Sequence, residues 1–303
     1  MKCDFNPLNH NLLNPLNFNQ WRTQKKELPE TTLKNAIEKQ EEITPILLET
    51  LEKWKDKQRQ LRKDRDYFLH IYALFLLAQF REPRAYPLII EFFSVSGDIC
   101  MDTVGDVVTE DLGRILASVS QGDIEPVKPL IENPQVNEYV RGAGIECLMI
   151  LVAEGVISRD VVVEYFQALF SEKLEREFSF IWTVLVINSA DLYPLELQDS
   201  IREIFELDLV DEFFINQEEI ALSLEKGQEE TLKELRENPR YSFIEDTIQE
   251  MKDWYCFQTP KKQPSGFGST DLSSSSKSKF SQKKAKQKMQ KKSRRQNRSK
   301  NKK

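Results

Sequence analysis

The sequence predicts an all-α protein in which helix pairs stack into an α-solenoid, with a disordered N-terminal arm and a disordered basic C-terminal tail. Three observations support this fold class. Apolar residues recur with helical spacing over residues 30–257, no region stands out for period-two alternation, and residues 261–303 are strongly basic and poor in apolar side chains. A chain of 303 residues that is 40% apolar is also long enough to bury a sizeable core.

The N-terminal end is the first element in chain order. Residues 1–28 contain Asn-Pro-Leu-Asn at 6–9 and again at 14–17, in a composition that favours turns over helix. We therefore predict a poorly ordered Asn/Pro/Leu-rich arm. The alternative is a leader segment whose apolar side chains pack against the body of the protein.

Helical spacing begins at Glu30 and predicts two amphipathic helices over 30–57. Thr44 and Pro45 fit an N-cap followed by proline at the first helical position. Apolar side chains then follow at spacings of four and three residues, as expected for one face of a helix.

Long apolar helical patterns recur in pairs between residues 66 and 209. The landmark apolar positions Leu77, Leu116, Leu151 and Val186 are 39, 35 and 35 residues apart. Each is followed by a turn signal and a second, shorter helical pattern. These second patterns cover residues 84–93, 123–132, 158–170 and 194–205. A period near 35–40 residues with two helices per unit is typical of a HEAT-like solenoid.

The third unit shows the HEAT-like pattern most clearly. Val140 and Arg141 are followed by small residues at 142–144 and then by Leu148. Small residues let neighbouring helices approach closely, which explains why two helix-disfavouring glycines are tolerated there. Three more helical patterns, at 216–225, 228–237 and 242–256, complete a predicted helical-repeat domain over 29–258.

Charge separates that domain from the C-terminal end. Residues 1–260 hold 27 basic and 48 acidic residues, a formal charge of −21, whereas residues 261–303 hold 16 basic residues and one acidic residue, a charge of +15. From Lys277 onward there are 14 Lys or Arg residues and no acidic one. Such a segment cannot bury enough surface to offset the entropy of ordering, so we predict a Ser/Gly-rich linker and a disordered basic tail over 259–303.

Several strings taken together resemble family 1186 of the bacterial domains of unknown function. They include Glu-Glu-Ile-Thr-Pro at 41–45 and Thr-Glu-Asp-Leu-Gly-Arg-Ile-Leu-Ala-Ser-Val at 109–119, and the likeness covers roughly residues 30–257. Further matching strings lie at 72–74, 77–82, 84–87, 105–106, 132–134, 137–141 and 244–248. The resemblance implies a helical-repeat fold and no established activity. Members often end in a Cys-rich, zinc-binding SEC-C motif, but no cysteine follows Cys256 here.

Two groups of charged residues are candidate sites. Asp111 lies within the apolar stripe of a predicted helix over 104–119, where a carboxylate is costly unless it is paired. We therefore expect a basic partner such as Arg81, Arg84 or Arg141, or a helix N-terminus, near Asp111, and predict a structural ladder; a buried acid in a cleft, or simple exposure, is the alternative.

On the opposite face of the same predicted helix, Asp106, Glu110 and Arg114 follow one another at spacings of four residues. The order Glu110 before Arg114 is the favourable one for a helical ion pair. These three residues are the candidate interaction face, and an ordinary solvated face is the alternative.

The residues needed for catalysis or for metal binding are scarce. The chain has two histidines, His10 and His70, and no Gly-rich phosphate loop. Its four cysteines lie far apart and form no C-x-x-C pair: Cys3, Cys100, Cys147 and Cys256. We expect His70 in the core, no cofactor, no metal and no enzyme activity. An enzyme would need a polar pocket that brings Asp111, His70 and Arg141 together.

The N-terminal residues lack the basic-then-apolar pattern of a secretory signal, and no apolar run approaches the roughly 20 residues of a membrane span. With thiols that are expected to be free, these features predict a cytoplasmic protein.

The preferred function is a non-enzymatic helical-repeat scaffold for protein interaction, with no particular partner or oligomeric state indicated. The tail would supply contact with a polyanion such as RNA. Its candidate contact residues are Lys283, Lys284, Lys286, Lys288, Lys291, Lys292, Arg294, Arg295 and Arg298. The alternative is an RNA-, ribosome- or DNA-associated factor that binds mainly through residues 277–303. Attachment to anionic lipid, an address signal, and contact with the protein's own acidic residues also remain open for the tail.

Overall fold

A computed structural model describes residues 27–64 and 67–257 of the chain. Across these residues the protein contains sixteen α-helices and no strand, which confirms the predicted all-α class. The sole β-type feature in the described part is an isolated bridge between Ser96 and Val136. The predicted arm, apart from residues 27–28, and the predicted linker and tail over 259–303 lie outside the described residues.

The helices that precede the paired units are α1 (Glu30–Glu38), α2 (Gln40–Trp54) and α3 (Gln58–Leu61). The two amphipathic helices predicted over 30–57 are therefore confirmed. The N-cap at Thr44 is wrong, because α2 begins four residues earlier and Thr44 Oγ1 donates to Gln40 O at 2.8 Å. The helix extends upstream because Ile43 is fully buried on the same face as Leu47.

The paired helices follow in the predicted order. The first helices of the pairs are α4 (Leu69–Gln79), α8 (Leu112–Ser120), α10 (Glu138–Ala153) and α12 (Phe180–Asp191), and we refer to them as the first-helix row. The second helices are α5 (Ala85–Phe93), α9 (Val127–Glu132), α11 (Arg159–Ala168) and α13 (Gln198–Glu206). Two short helices, α6 (Ile99–Val104) and α7 (Val107–Glu110), precede α8. All four landmark apolar residues lie in the first-helix row and are buried.

The last helices are α14 (Gln217–Lys226), α15 (Gln228–Glu237) and α16 (Thr247–Met251). A π-helical turn, Leu169–Lys173, continues α11, and 3-10 turns lie at Leu195–Leu197 and Tyr255–Phe257. The helices predicted at 216–225 and 228–237 are confirmed. The helix predicted at 242–256 is wrong, since only α16 forms there.

Each first helix is followed by a residue in the left-handed region. These residues are Arg81 (φ 53°), Gln121 (φ 52°), Gly155 (φ 70°) and Tyr193 (φ 64°). They are 40, 34 and 38 residues apart, which repeats the period of the helix pairs. A left-handed residue just after a helix reverses the chain direction, so the second helix can pack back against the first.

Side-chain contacts between units show the same spacing. Asn137 Nδ2 donates to Asp98 Oδ1 at 2.7 Å, 39 residues away. The guanidinium of Arg159 donates to both carboxylate oxygens of Glu196 at 2.9 and 2.6 Å, 37 residues away. Contacts that repeat at one unit length are compatible with a stacked helix-pair solenoid.

Close helix approach around the third unit is confirmed. A Cβ at Gly144 of α10 would lie 2.6 Å from Ile131 Cγ1 in α9, and one at Gly142 would lie 3.3 Å from Val184 Cγ2 in α12. Gly113 of α8 also meets α10, where a Cβ would lie 2.9 Å from Glu146 Cβ. The glycines therefore allow α10 to pack closely against three neighbouring helices.

The helix predicted over 104–119 is interrupted. Gly105 has φ 63°, and Asp111, with φ −129°, separates α7 from α8. The interruption turns α8 into the first-helix row, where Leu112 and Leu116 are fully buried. Packing of α8 thus overrides the continuous local periodicity.

Candidate interaction surface

The chain after α15 turns back and runs along the first-helix row in reverse order. We call residues 238–257 the return segment. Its first contacts are with α12 and α10. The Tyr241 hydroxyl donates to Asp191 Oδ2 at 2.7 Å, and Arg240 forms an ion pair with Glu146. Pro239 at the start of the segment and these side-chain contacts explain why it leaves the helical conformation.

The next contacts are with α8, where Arg114 holds two parts of the return segment. Arg114 Nε donates to Ser242 O at 2.9 Å, and Arg114 Nη2 donates to Phe243 O at 2.9 Å. The same guanidinium forms a bidentate pair with Glu250 at 2.8 and 2.7 Å. Arginine suits this position because its planar group presents several donors in a fixed geometry.

Further along, side chains of α8 and α4, and Arg81 just after α4, bind the backbone of the return segment at Ile244 and Thr247. The amide of Ile244 donates to Ser118 Oγ at 3.0 Å, and its carbonyl accepts from Arg81 Nη1 at 2.8 Å. The amide of Thr247 donates to Gln79 Oε1 at 2.9 Å. Side chains of the first-helix row therefore replace the backbone partners that a helix would have supplied.

Arg81 makes two other contacts with this segment. Its guanidinium lies 4.5 Å from the centre of the Phe243 ring and pairs with Glu245. Burial lowers the pKa of Arg81, and the negative charge of Glu245 opposes that shift. Arg81 itself has a left-handed backbone, which is costly for a residue other than glycine. The contacts of its side chain give a reason for arginine at this position.

The final part of the return segment packs through apolar side chains. Trp254 lies edge-on to Phe75 of α4, with ring centres 5.4 Å apart, and Phe257 meets Phe68 at 5.7 Å. Met251 is fully buried. This end of the segment therefore belongs to the hydrophobic core.

Charged side chains in the middle of the return segment remain accessible to solvent. The side chains of Arg240 and Glu245 are 58% and 78% exposed. They border an open depression of about 560 Å³, together with Arg114, Phe243 and Glu250. Asp191 and Glu146, the carboxylates beneath this region, are more enclosed, and burial raises the pKa of each against the opposing effects of Tyr241 and Arg240.

The candidate interaction face is divided between two environments. Asp106 and Glu110 are exposed, whereas Arg114 is largely enclosed by the return segment. Glu110 is the last residue of α7, whereas Arg114 lies in α8. The predicted pair within one helix is therefore replaced by the long-range pair of Arg114 with Glu250. Burial lowers the pKa of Arg240, but the negative charge of Glu146 and, to a smaller extent, that of Glu110 outweigh this effect, and the pKa is raised.

The arginines of the predicted ladder form ion pairs with other acids. Arg141, almost fully buried, pairs with Glu175 at 2.5 and 2.8 Å, and its Nε donates to Ile131 O at 2.7 Å. Arg84 pairs locally with Glu82 at 2.7 Å. Arg81 pairs with Glu245, as described above. Arg141 thus links neighbouring units as a ladder residue would, but through an acid 34 residues away.

Asp111, the acid of that ladder, is half-buried, and its carboxylate lies 3.9 Å from the guanidinium of Arg114. Arg114 is therefore one partner of Asp111. The sequence separation of three residues places both at the start of α8.

His70 lies in the core, as predicted. Its Nε2 is 3.0 Å from Thr103 O, and its ring stacks between Tyr67 and Phe92. Burial lowers the pKa of His70 to about 4. Arg141 and Asp111, the other residues of the hypothetical catalytic pocket, have the separate partners given above.

Sequence reasoning missed the residues that bind the return segment from the first-helix row. Gln79 and Ser118 are ordinary helical residues in the sequence, and their partners are 168 and 126 residues away. Arg159 was also missed, although it is buried and donates to Leu192 O at 2.6 Å. No local pattern signals a partner at such separations.

Within residues 27–64 and 67–257, no three His, Cys, Asp or Glu side chains come together as metal ligands. The free cysteines of this part are Cys100 and Cys147, both buried, and Cys256, which is exposed. No helix in the described part is long and apolar enough to cross a membrane. The predicted contact residues of the tail, from Lys283 to Arg298, lie outside the described residues.

Two uncharacterized proteins, one from Chlamydia trachomatis serovar D and one from Chlamydia muridarum, are similar to this chain. Each is 42% identical over 228 residues, which cover 75% of this chain and 90% of the relative. No solved structure matches the chain. Residues 12–258 match the family described as "Protein of unknown function (DUF1186)", which confirms the resemblance found in the sequence. The chain belongs to this family.

Proposed function

We propose that this protein is a non-enzymatic helical-repeat scaffold that docks a protein partner on the first-helix row. The observation that supports this proposal is the way Arg114, Ser118, Arg81 and Gln79 bind backbone groups of the return segment between Ser242 and Thr247. Stacked helix pairs commonly use such extended surfaces to bind other chains.

The chemistry of these contacts suits recognition. Backbone amides and carbonyls are common to every extended peptide, so side chains that bind them select for conformation. Selectivity then comes from pockets and charges beside them, such as the fully buried position of Ile244 and the pairing of Arg81 with Glu245. We further propose a cytoplasmic location, on the sequence grounds given above.

In the same proposal, residues 277–303 contact a polyanion. Fourteen positive charges without an acidic residue would release condensed counterions from RNA or DNA, giving affinity that falls with salt and depends little on sequence. Phe280 is the only aromatic residue among them, so base stacking adds little.

A second candidate is an RNA-, ribosome- or DNA-associated factor in which residues 277–303 are the main binding element. The charge of +15 on residues 261–303, beside −21 on residues 1–260, favours this candidate. In that case the helical repeats would only present the tail.

The contribution of the tail is tested by comparing RNA binding of the full chain with that of a chain ending at Pro260. If about six cations contact phosphates, a slope near −0.7 per contact predicts a roughly 100-fold loss of affinity between about 0.1 and about 0.3 M salt. A length-matched control replaces the nine tail residues named above, Lys283 to Arg298, by glutamine. Equal RNA binding by the full and shortened chains would contradict both the tail contact and the second candidate.

Cross-linking in the native cells separates the two candidates. The scaffold proposal expects the full chain and the chain ending at Pro260 to recover the same protein partner, because the first-helix row is intact in both. The second candidate expects the shortened chain to lose its partners. Absence of any protein partner for the full chain would contradict the scaffold proposal.

A further inference from the structure

We propose that the first-helix row, together with Arg81 and Glu154 just after α4 and α10, is a peptide-binding groove occupied by the chain's own residues 242–246, and that the protein partner binds by displacing them with an extended segment of its own. This inference rests on the proposed function and names its binding site. The segment that a partner would present is defined by the residues it replaces: an aromatic residue, an aliphatic residue and a carboxylate in succession.

The groove binds residues 242–244 through their backbone groups. The carbonyls of Ser242 and Phe243 accept from Arg114 of α8, and that of Ile244 accepts from Arg81 just after α4, at 2.8–2.9 Å. The amides of Phe243 and Ile244 donate to Glu154 and Ser118 at 3.3 and 3.0 Å. Any extended peptide offers the same backbone groups in the same order, so these contacts transfer to another chain.

Three successive side chains of the segment also have defined surroundings. Phe243 lies under the guanidinium of Arg81, Ile244 is fully buried, and Glu245 pairs with Arg81. A partner segment with Phe or Tyr, then Ile or Leu, then Glu or Asp would reproduce all three contacts. The arginines favour an acidic peptide over a basic one.

The middle of the return segment is accessible to an incoming chain. The side chains of Arg240 and Glu245 are mostly exposed, and the ion pair of Glu245 with Arg81 is correspondingly weak. The open depression of about 560 Å³ lies beside them and gives an incoming chain access to Arg114. By contrast, Tyr241 is buried and bonds to Asp191, Met251 is fully buried and Trp254 packs on α4, so both ends of the return segment stay in place while residues 242–246 leave.

The test uses the full chain and a fluorescent peptide that copies residues 238–246. A loosened chain carries Ile244→Ala and Glu245→Ala, which weaken the internal segment and leave the groove unchanged. We expect the loosened chain to bind the peptide at least about tenfold more tightly than the unaltered chain, because a larger fraction of its grooves is open. Adding Arg114→Lys, which keeps the charge and loses the fork of donors, should weaken binding about tenfold.

Two results would overturn the groove. One is a loosened chain that keeps its helical circular dichroism but does not bind the peptide. The other comes from hydrogen exchange in the unaltered full chain: exchange of the Phe243 and Ile244 amides only through global unfolding would show that the segment cannot leave. This second measurement decides the matter if the loosened chain fails to fold.

The groove and the proposed function fail in different ways. Loss of peptide binding while cells still yield a protein partner would overturn the groove and leave the scaffold proposal standing. A full chain without any protein partner would overturn the scaffold proposal, whatever the peptide does.

Discussion

Residues in the left-handed region lie at the chain reversals after the first helices. Two of them, Gln121 and Arg81, differ in the contacts of their side chains. Gln121 is exposed, and the hydrogen bonds and ion pairs described here do not involve its side chain. Arg81 bonds to Ile244 and Glu245 of the return segment. Both residues carry the cost of a left-handed backbone, and at Arg81 the side-chain contacts compensate for it.

Glycine substitution separates strain from contact. Gln121→Gly should raise the free energy of unfolding by roughly 0.5–1 kcal/mol, because glycine adopts the left-handed region at little cost. Arg81→Gly relieves the same strain but removes the contacts with the return segment, so it should lower the free energy of unfolding by at least about 1 kcal/mol. Urea denaturation of both variants measures the difference. A stabilising effect of Arg81→Gly would contradict the role assigned to its side chain.

His70 predicts a dependence of stability on pH. Burial lowers its pKa from 6.5 to about 4, so the unfolded chain binds more protons between those values. This contribution to stability is complete above pH 6.5 and is lost as the pH falls towards 4. Between pH 7 and pH 5 the loss should be about 2 kcal/mol.

His70→Gln is the matched variant, because its side-chain amide can still donate to Thr103 O. Urea denaturation of both proteins at the two pH values measures the effect, and the difference between them removes the contributions of other titrating groups. The free energy of unfolding should fall less for the variant than for the unaltered chain. Parallel behaviour of the two proteins would show that His70 is not the group responsible.

At the scale of the helices, local periodicity predicted the paired units well. Each unit's apolar stripe is contained within a short stretch of sequence, so spacing alone located α4 and α5 and the three pairs that follow. The predicted close approach at Gly142 and Gly144 was likewise a local signal, since small residues stand out within a helical pattern.

Distant contacts account for what the sequence did not predict. The apolar and polar residues at 242–256 have helical spacing, but side chains of α4 and α8, and Glu154 just after α10, bind their backbone instead. The break at Asp111 is set by the packing of α8 in the core. Neither the break nor the partners of Arg81 and Arg114 leave a pattern in nearby sequence, so the candidate surface could not be located from spacing.

Helix packing makes its own prediction at α10. Gly144→Ala and Gly142→Ala each gain about 1 kcal/mol of helix propensity. The new methyl group overlaps Ile131 in the first variant, at 2.6 Å, but meets Val184 at 3.3 Å in the second. Gly144→Ala should therefore be less stable than Gly142→Ala by about 1–3 kcal/mol in thermal or urea unfolding. Equal stability of the two would contradict the close contact between α9 and α10.

At the scale of the whole molecule, charge and architecture indicate two kinds of contact. Residues 1–260, which carry the net negative charge, include the first-helix row; Arg114 of the row and Arg81 just after α4 pair with acidic residues of the return segment. Residues 261–303 carry the positive charge that suits a polyanion. A protein partner and a polyanion would thus use different parts of the chain. The central claim concerns the first of these, because it depends on a surface that the chain itself already occupies.

Hydrogen exchange of the unaltered full chain, followed by residue at low denaturant, tests that claim most directly. The amides of Phe243 and Ile244 should exchange through a local opening whose free energy is well below that of Ile115 and Leu116 in α8, which report global unfolding. Addition of the partner-like peptide should speed their exchange further. Exchange of all four amides at one common free energy, unaffected by the peptide, would contradict the account.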